Sequence, residues 1–120
     1  MLGTAQTQVM ADFYKEVFQK EADMIDGDAW YGWSMGGIFL SIGFHSEVSA
    51  QAQDPKRIIF NFESREVKEE FERIKLIPGA VVIKEPYEMG GAWIATIADP
   101  DGNYFQLMTP WDDMTGEAKE

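Results

Sequence analysis

The sequence predicts an α+β fold made of two similar modules. Two segments, 9–20 and 65–77, carry apolar residues at helical spacing, and short strand-like runs flank each of them. The order of these elements in the first half of the chain recurs in the second half. Because a strand-helix-strand unit of this size cannot bury its apolar sheet face alone, we expect the two modules to pack against each other about a pseudo-twofold axis.

The residues of the two halves also repeat. Ala29-Trp30 followed by the run GGIFLSI parallels Ala92-Trp93 followed by DGNYFQL. In this alignment the turn is two residues longer in the second copy, and Ser41 matches Gln106.

In the first half, Met1 to Thr4 is a short strand-like start that leads into the amphipathic helix 9–20. Gly27 and Asp28 then mark a turn. Two strands follow, AWYGWSM and GIFLSIGF, and the double glycine between them suits a tight hairpin. The small and polar stretch 46–56 is expected to be a linker because it offers little to a core.

The second half begins with the strand RIIFNFE, after which Ser64 is positioned to cap a helix. Val67, Phe71 and Ile74 form the expected buried stripe of that helix, and Pro78-Gly79 ends it. The strands AVVIKEPYE and AWIATIA are separated by a glycine turn, and DPDG turns the chain into NYFQLM.

Length and charge narrow the possible functions. A chain of 120 residues with 45% hydrophobic residues is one domain, expected over 1–113, with modules at about 1–45 and 57–110 and an acidic, frayed tail at 114–120. The net charge of -11 argues against binding to nucleic acid or to anionic lipid. No cysteine occurs, and no segment is apolar enough for a membrane span, so a cytoplasmic protein is expected.

Four sequence segments resemble the vicinal oxygen chelate superfamily of glyoxalases, bleomycin resistance proteins and extradiol dioxygenases. They are FYKEVF, FERIK running into PGA, VIKEPYE and, above all, DPDGNYFQLMTP. The resemblance spans about residues 1–110 and implies two βαβββ modules whose curved sheets enclose a cleft, with a short first strand here. It also implies a homodimer.

The same resemblance locates the positions at which metal-using members place His or Glu ligands. These positions hold Arg57, Gln106 and Ser41, and the fourth lies at or before Met1. A guanidinium cannot ligate a metal, while an amide and a hydroxyl are weak ligands. We therefore expect no metal or other cofactor, and the sequence supports no catalytic residue.

Strand alternation then predicts which side chains line the cleft. Trp93, together with Trp30 and Trp33, is expected at the rim, although tryptophans of this kind also pack in cores or dimer interfaces. Arg57 faces either a ligand anion or an internal acid. The candidate ligand-binding residues are Phe39, Ser41, His45, Arg57, Ile59, Trp93, Tyr104 and Gln106.

The favoured function is metal-independent binding of a small molecule. The alternative is a lyase, isomerase or dioxygenase that holds a divalent ion through unusual ligands such as Gln106 and His45. A protein-interaction module is the third possibility. The charge of the ligand stays open, because the acidic chain favours a cation whereas Arg57 favours an anion.

Overall fold

The computed structural model describes residues 1–48, 54 and 58–110. The predicted tail and Arg57 lie outside the described residues. The first module has one helix and four strands in the sheet order β1-β4-β3-β2, with β1 parallel to β4 and the other pairs antiparallel. Its elements are β1 (Leu2–Thr4), α1 (Thr7–Phe18), β2 (Met24–Asp26), β3 (Trp30–Met35) and β4 (Ile38–Phe44).

The second module repeats this arrangement in the sheet order β5-β8-β7-β6, with β5 parallel to β8. The predicted α+β fold of two βαβββ modules, with a short first strand, is therefore confirmed. No described helix has the length and apolar character needed to cross a membrane. The elements of this module are β5 (Phe60–Glu63), α2 (Val67–Ile74), β6 (Val81–Met89), β7 (Ala92–Ala98) and β8 (Tyr104–Met108).

Two local features differ from the sequence prediction. Strand β2 was missed because its three residues are too few to show the alternation of apolar and polar residues that marks a strand in a sequence. Helix α2 starts at Val67, and Ser64 does not cap it; the Ser64 hydroxyl instead accepts the backbone N–H of Glu66 at 3.0 Å. The predicted buried stripe of Val67, Phe71 and Ile74 is confirmed.

The register of the two hairpins corrects the repeat alignment. Ser34 pairs with Phe39 across a hairpin that encloses four residues, whereas Ala98 pairs with Tyr104 across five. The second hairpin is therefore longer by one residue and not by two. Counting from these pairs, the structural equivalent of Trp30 is Ile94, and Trp93 is displaced by one position. Because side chains alternate along a strand, this single step moves Trp93 to the opposite face.

The two sheets bury their helix-facing sides in one shared core. Phe13 of α1 contacts Phe105 of β8, with ring centroids 6.1 Å apart. Phe18 touches Phe62 of the second module at 5.5 Å and Trp33 of the first at 5.6 Å. The other side of each sheet, the helix-free face, therefore points away from this core.

Arg73 of α2 joins the modules through the end of α1. Its guanidinium donates to the backbone oxygens of Glu16 and Val17 at 2.7 and 2.9 Å, and it also pairs with Glu70. The last carbonyls of a helix have no partner within the helix, so a cation there satisfies them and complements the helix dipole.

The DPDG turn is tied to α1 by buried hydrogen bonds. Asp99 accepts the backbone N–H groups of Asp101 and Asn103, each at 2.9 Å, and the Tyr14 hydroxyl at 2.7 Å. Gln6 donates to Asp101 at 2.7 Å. Burial raises the pKa of Asp99 above its ordinary value, while the bonds from Tyr14 and Asn103 oppose that rise.

Replacing Tyr14 with Phe should lower the free energy of unfolding by about 1–2 kcal/mol, because a buried carboxylate loses a donor. The deficit should grow as the pH rises through the pKa of Asp99, since the lost bond favours the ionised carboxylate of the folded state. Urea unfolding at several pH values measures both effects. Tyr31→Phe, which loses an exposed bond to Gln8, is the matched control and should change little. Equal losses in the two variants would contradict this account.

Replacing Gly102 with Ala should destabilise the fold by about 1–2 kcal/mol, because a side chain is strained in the left-handed region. Gly102 has a φ of 88°. Gly37→Ala is the control, since no atom lies within 4 Å of its Cβ position and its φ is not positive. Thermal unfolding of both variants is the measurement, and a Gly102→Ala protein as stable as Gly37→Ala would refute the turn assignment.

Candidate functional site

The helix-free face of the first sheet is unusually rich in glycine. Gly43 of β4 lies between Gly3 of β1 and Trp30 of β3, and Ser41 lies opposite Gly32. Gly32 and Gly43 are buried although they carry no side chain. Other side chains must therefore cover them.

Two aromatic rings provide that cover. Trp30 reaches across both glycines, with Cδ1 2.9 Å from where a Cβ on Gly43 would lie and Cη2 2.8 Å from the same position on Gly32. A Cβ on Gly32 would also overlap the ring of Phe39. The rings of Trp30 and Phe39 are nearly parallel, with centroids 5.9 Å apart and an angle of 25°. We call this pair, on its floor of Gly32 and Gly43, the aromatic platform.

The predicted cleft residues of the first module all lie on or beside this face. Phe39 is 47% exposed, so its ring remains accessible. Ser41 is buried in the row between β4 and β3. His45 lies just beyond the end of β4 and is exposed, and its Nδ1 accepts the backbone N–H of Glu47 at 3.2 Å.

The helix-free face of the second sheet carries a row of polar side chains instead. Asn61, Gln106, Thr96 and Lys84 stand opposite one another in turn across β5, β8, β7 and β6. Within the described part of the chain, no hydrogen bond engages the side chains of Asn61, Gln106 or Thr96. The exposed amide of Asn61 and the half-buried amide of Gln106 can therefore reach a ligand, whereas Thr96 is buried.

Two further predicted residues border this polar row. Tyr104 is half-buried in the next row of β8, opposite Ala98. Ile59 precedes β5 by one residue, shares the parity of Asn61 and is 39% exposed. By their parity, both side chains lie on the helix-free face of the second sheet.

Trp93 does not lie at the rim of a cleft, where it was expected. It packs against the shared core on the helix side of β7, and the Nζ of Lys68 lies 4.1 Å from its ring centroid. The one-residue difference between the hairpins explains this position. Trp33 is also a core residue, and its indole N–H donates to the backbone oxygen of Lys20 at 2.9 Å. Of the three tryptophans expected at the rim, only Trp30 lies on a helix-free face.

The donors on the helix-free faces do not fit a divalent metal. Ser41 and Gln106 supply a hydroxyl and an amide where a metal centre needs imidazole or carboxylate. No group of three His, Asp or Glu residues converges within residues 1–48, 54 and 58–110. The carboxylate of Asp99 is bonded to backbone and side-chain donors of its own turn, and that of Asp101 accepts the Gln6 amide at 2.7 Å.

A groove with a volume of about 1090 Å³ lies between the two modules. Its walls come from the start of β4, all of β5 and the end of α1, and of the predicted site residues that the structure describes it includes only Phe39. No local pattern in the sequence predicts this groove, because it forms where separate modules meet.

The fold is that of glyoxalase/bleomycin resistance/dioxygenase proteins, as the resemblance to the vicinal oxygen chelate superfamily predicts. A glyoxalase-related enzyme from Fulvimarina pelagi superposes with a TM-score of 0.75 at 20% identity, over 91% of this chain and 84% of that one. A glyoxalase/bleomycin resistance protein from Albidiferax ferrireducens T118 also has a TM-score of 0.75, at 15% identity, over 92% and 94%.

A third similar structure contains ligands. It is a mutant of the fosfomycin resistance protein FosX from Listeria monocytogenes, in complex with Mn(II) and dihydroxypropylphosphonic acid. It matches with a TM-score of 0.69 at 20% identity, over 97% of this chain and 91% of that one. The sequence matches no protein-family model, and it matches no curated protein.

Replacing Gly32 with Ala should displace the aromatic platform and destabilise the protein by about 1–3 kcal/mol, because the new methyl group overlaps both rings. The near-UV circular dichroism band of the stacked rings should weaken. Gly37→Ala again serves as the control. An unchanged near-UV spectrum in Gly32→Ala would contradict the close packing of Trp30 and Phe39 on Gly32.

Proposed function

We propose that this protein binds a small organic molecule on its helix-free faces without the help of a metal ion. The observation that carries the proposal is the aromatic platform. Its two rings lie close over the glycine backbone, and the ring of Phe39 nevertheless stays accessible. Aromatic walls with a few free polar groups are typical of ligand sites. On the other sheet, Asn61 and Gln106 supply such polar groups, since no hydrogen bond engages their side-chain amides among the described residues.

The similar structures support a small-molecule role through the fold alone. Glyoxalase-related and fosfomycin resistance proteins share this architecture. The Mn(II) in the FosX complex belongs to that protein. In this chain, Ser41 and Gln106 are poor substitutes for metal ligands, which favours recognition by stacking and hydrogen bonds.

We also propose that the protein works as a homodimer in the cytoplasm. Both helix-free faces point away from the shared core. In a dimer, the helix-free face of one sheet could therefore lie opposite the helix-free face of the other sheet in the second copy, with a cleft between them. Exposed apolar side chains on the helix-free face of the first sheet, Phe39 and Met24, 47% and 57% accessible, favour such a contact. The absence of cysteine fits a reducing compartment. Light scattering of the purified protein tests the dimer.

The binding proposal is tested by a thermal-shift screen of the chelator-treated protein against small aromatic and antibiotic-like compounds. At least one compound should raise the melting temperature, because a ligand that binds only the folded state stabilises it. The shift should persist in excess chelator and decrease in Phe39→Ala and Gln106→Ala. Phe44→Ala is the control, since Phe44 is exposed to a similar degree, 57% against 47% for Phe39, but has the opposite parity in the same strand.

Two results would defeat the proposal. If no compound shifts the melting temperature, the protein does not act as a small-molecule binder. If Zn²⁺, Ni²⁺, Mn²⁺ or Fe²⁺ binds at one ion per chain and ligand shifts vanish with chelator, the metal-dependent enzyme alternative replaces it.

A further inference from the structure

We infer that the helix-free face of the first sheet selects a planar aromatic cation, which stacks on the aromatic platform and places its charge beside Asp26. The inference rests on the proposed function and names the ligand class for that same face.

The stacking surface is built into the sheet. Trp30 and Phe39 converge over Gly32, and neither ring has space to sink further toward the strand backbone. Their near-parallel arrangement leaves the 47% exposed Phe39 as a flat, accessible surface. Aromatic faces carry a negative quadrupole, so a planar cation gains both stacking and electrostatic attraction there.

Asp26 lies beside this surface. In the register of β2 and β3, Asp26 stands directly opposite Trp30, so the two side chains leave the sheet on the same face, with Cβ atoms about 4.5–5.5 Å apart. Asp26 is exposed, and no Lys or Arg of the described residues forms an ion pair with it. Its carboxylate is therefore available to a cationic ligand.

Apart from Asp26, the strand residues around the platform are uncharged. Met24 stands opposite Gly32 and is 57% exposed, and the sulfur of Met1 lies 2.8 Å from where a Cβ on Gly43 would be. Thioethers make favourable contacts with aromatic rings. The described strand residues on this face are Gly3, Met24, Asp26, Trp30, Gly32, Ser34, Phe39, Ser41 and Gly43.

Asp26 is the only charged residue in that set. Lys20 donates to the backbone oxygen of Ser34 at the edge of the face, but it is paired with Asp23 at 2.9 Å. The net charge of -11 adds a long-range attraction for cations. The Asp26 carboxylate and the net charge of the chain therefore both attract a cation to this face.

The test compares three probes of similar shape and different charge: 9-aminoacridine, which is cationic at neutral pH, neutral 9-anthracenemethanol and anionic anthracene-9-carboxylate. Calorimetry at low ionic strength should show the cation binding about tenfold tighter than the anion. Phe39→Leu and Trp30→Leu should each weaken binding of the cation by about tenfold. Asp26→Asn should weaken binding of the cation severalfold, leave the affinity for the neutral probe unchanged and reduce the salt dependence of cation binding.

Matched controls separate these effects from general loss of stability. Phe44→Leu alters an accessible ring of the same strand with the opposite parity, and Asp28→Asn removes a carboxylate from the adjacent turn. Both should bind 9-aminoacridine like the wild type. Circular dichroism of every variant shows whether the fold is intact.

Each contrary result overturns a different part of the inference: the preference for a cation, the location of the site or the class of ligand. If all three probes bind equally and depend on Phe39, the face stacks aromatics without selecting charge, and the preference for a cation is wrong. If binding is indifferent to Phe39, Trp30 and Asp26, the site is elsewhere. If no probe binds while other compounds stabilise the chelator-treated protein, the ligand class is wrong and the proposed function stands; if nothing at all stabilises it, the proposed function itself fails.

Discussion

The burial of both helix-facing sheet surfaces in one core is the constraint on which the rest of the structure depends. Phe13 and Phe18 of α1 pack on rings of the second module, and Arg73 of α2 binds the carbonyls at the end of α1. With both helices engaged in this way, alternate side chains along the central strands supply the interior, among them Trp33, Ile42, Ile97 and Phe105. The remaining side chains form the helix-free faces, and any binding chemistry of the sheets has to be found there.

The two helix-free faces meet this constraint in different ways. In the first sheet, glycines at 32 and 43 allow Trp30 and Phe39 to lie close to the backbone. The equivalent positions of the second sheet hold Thr96 and Met108, whose side chains leave no such floor. A duplicated topology has thus acquired one aromatic and one polar face, and the difference comes from glycine placement more than from the number of aromatic residues.

Much of the fold could be predicted because the signals are local. The stripe of Val67, Phe71 and Ile74 follows helical spacing, and Gly102 adopts the positive φ that a DPDG turn favours. Other features depend on distant contacts. The side of the sheet on which Trp93 lies is decided by one residue of hairpin length, which similarity between the repeats does not reveal. The floor of glycines under Trp30 requires the register between β3 and β4, which a single strand does not contain.

Net charge by itself does not identify a ligand, since a charge of -11 is spread over the whole surface and is screened within about 10 Å at moderate salt. What matters is which charged group shares a face with the stacking surface. The register of β2 and β3 places Asp26 next to Trp30, whereas Arg57 lies outside the described residues. A carboxylate beside an aromatic ring adds its own attraction to that of the ring quadrupole for a cation, and it repels an anion from both. The electrostatic preference of this face therefore follows from one cross-strand pair, and the acidic composition of the chain only reinforces it.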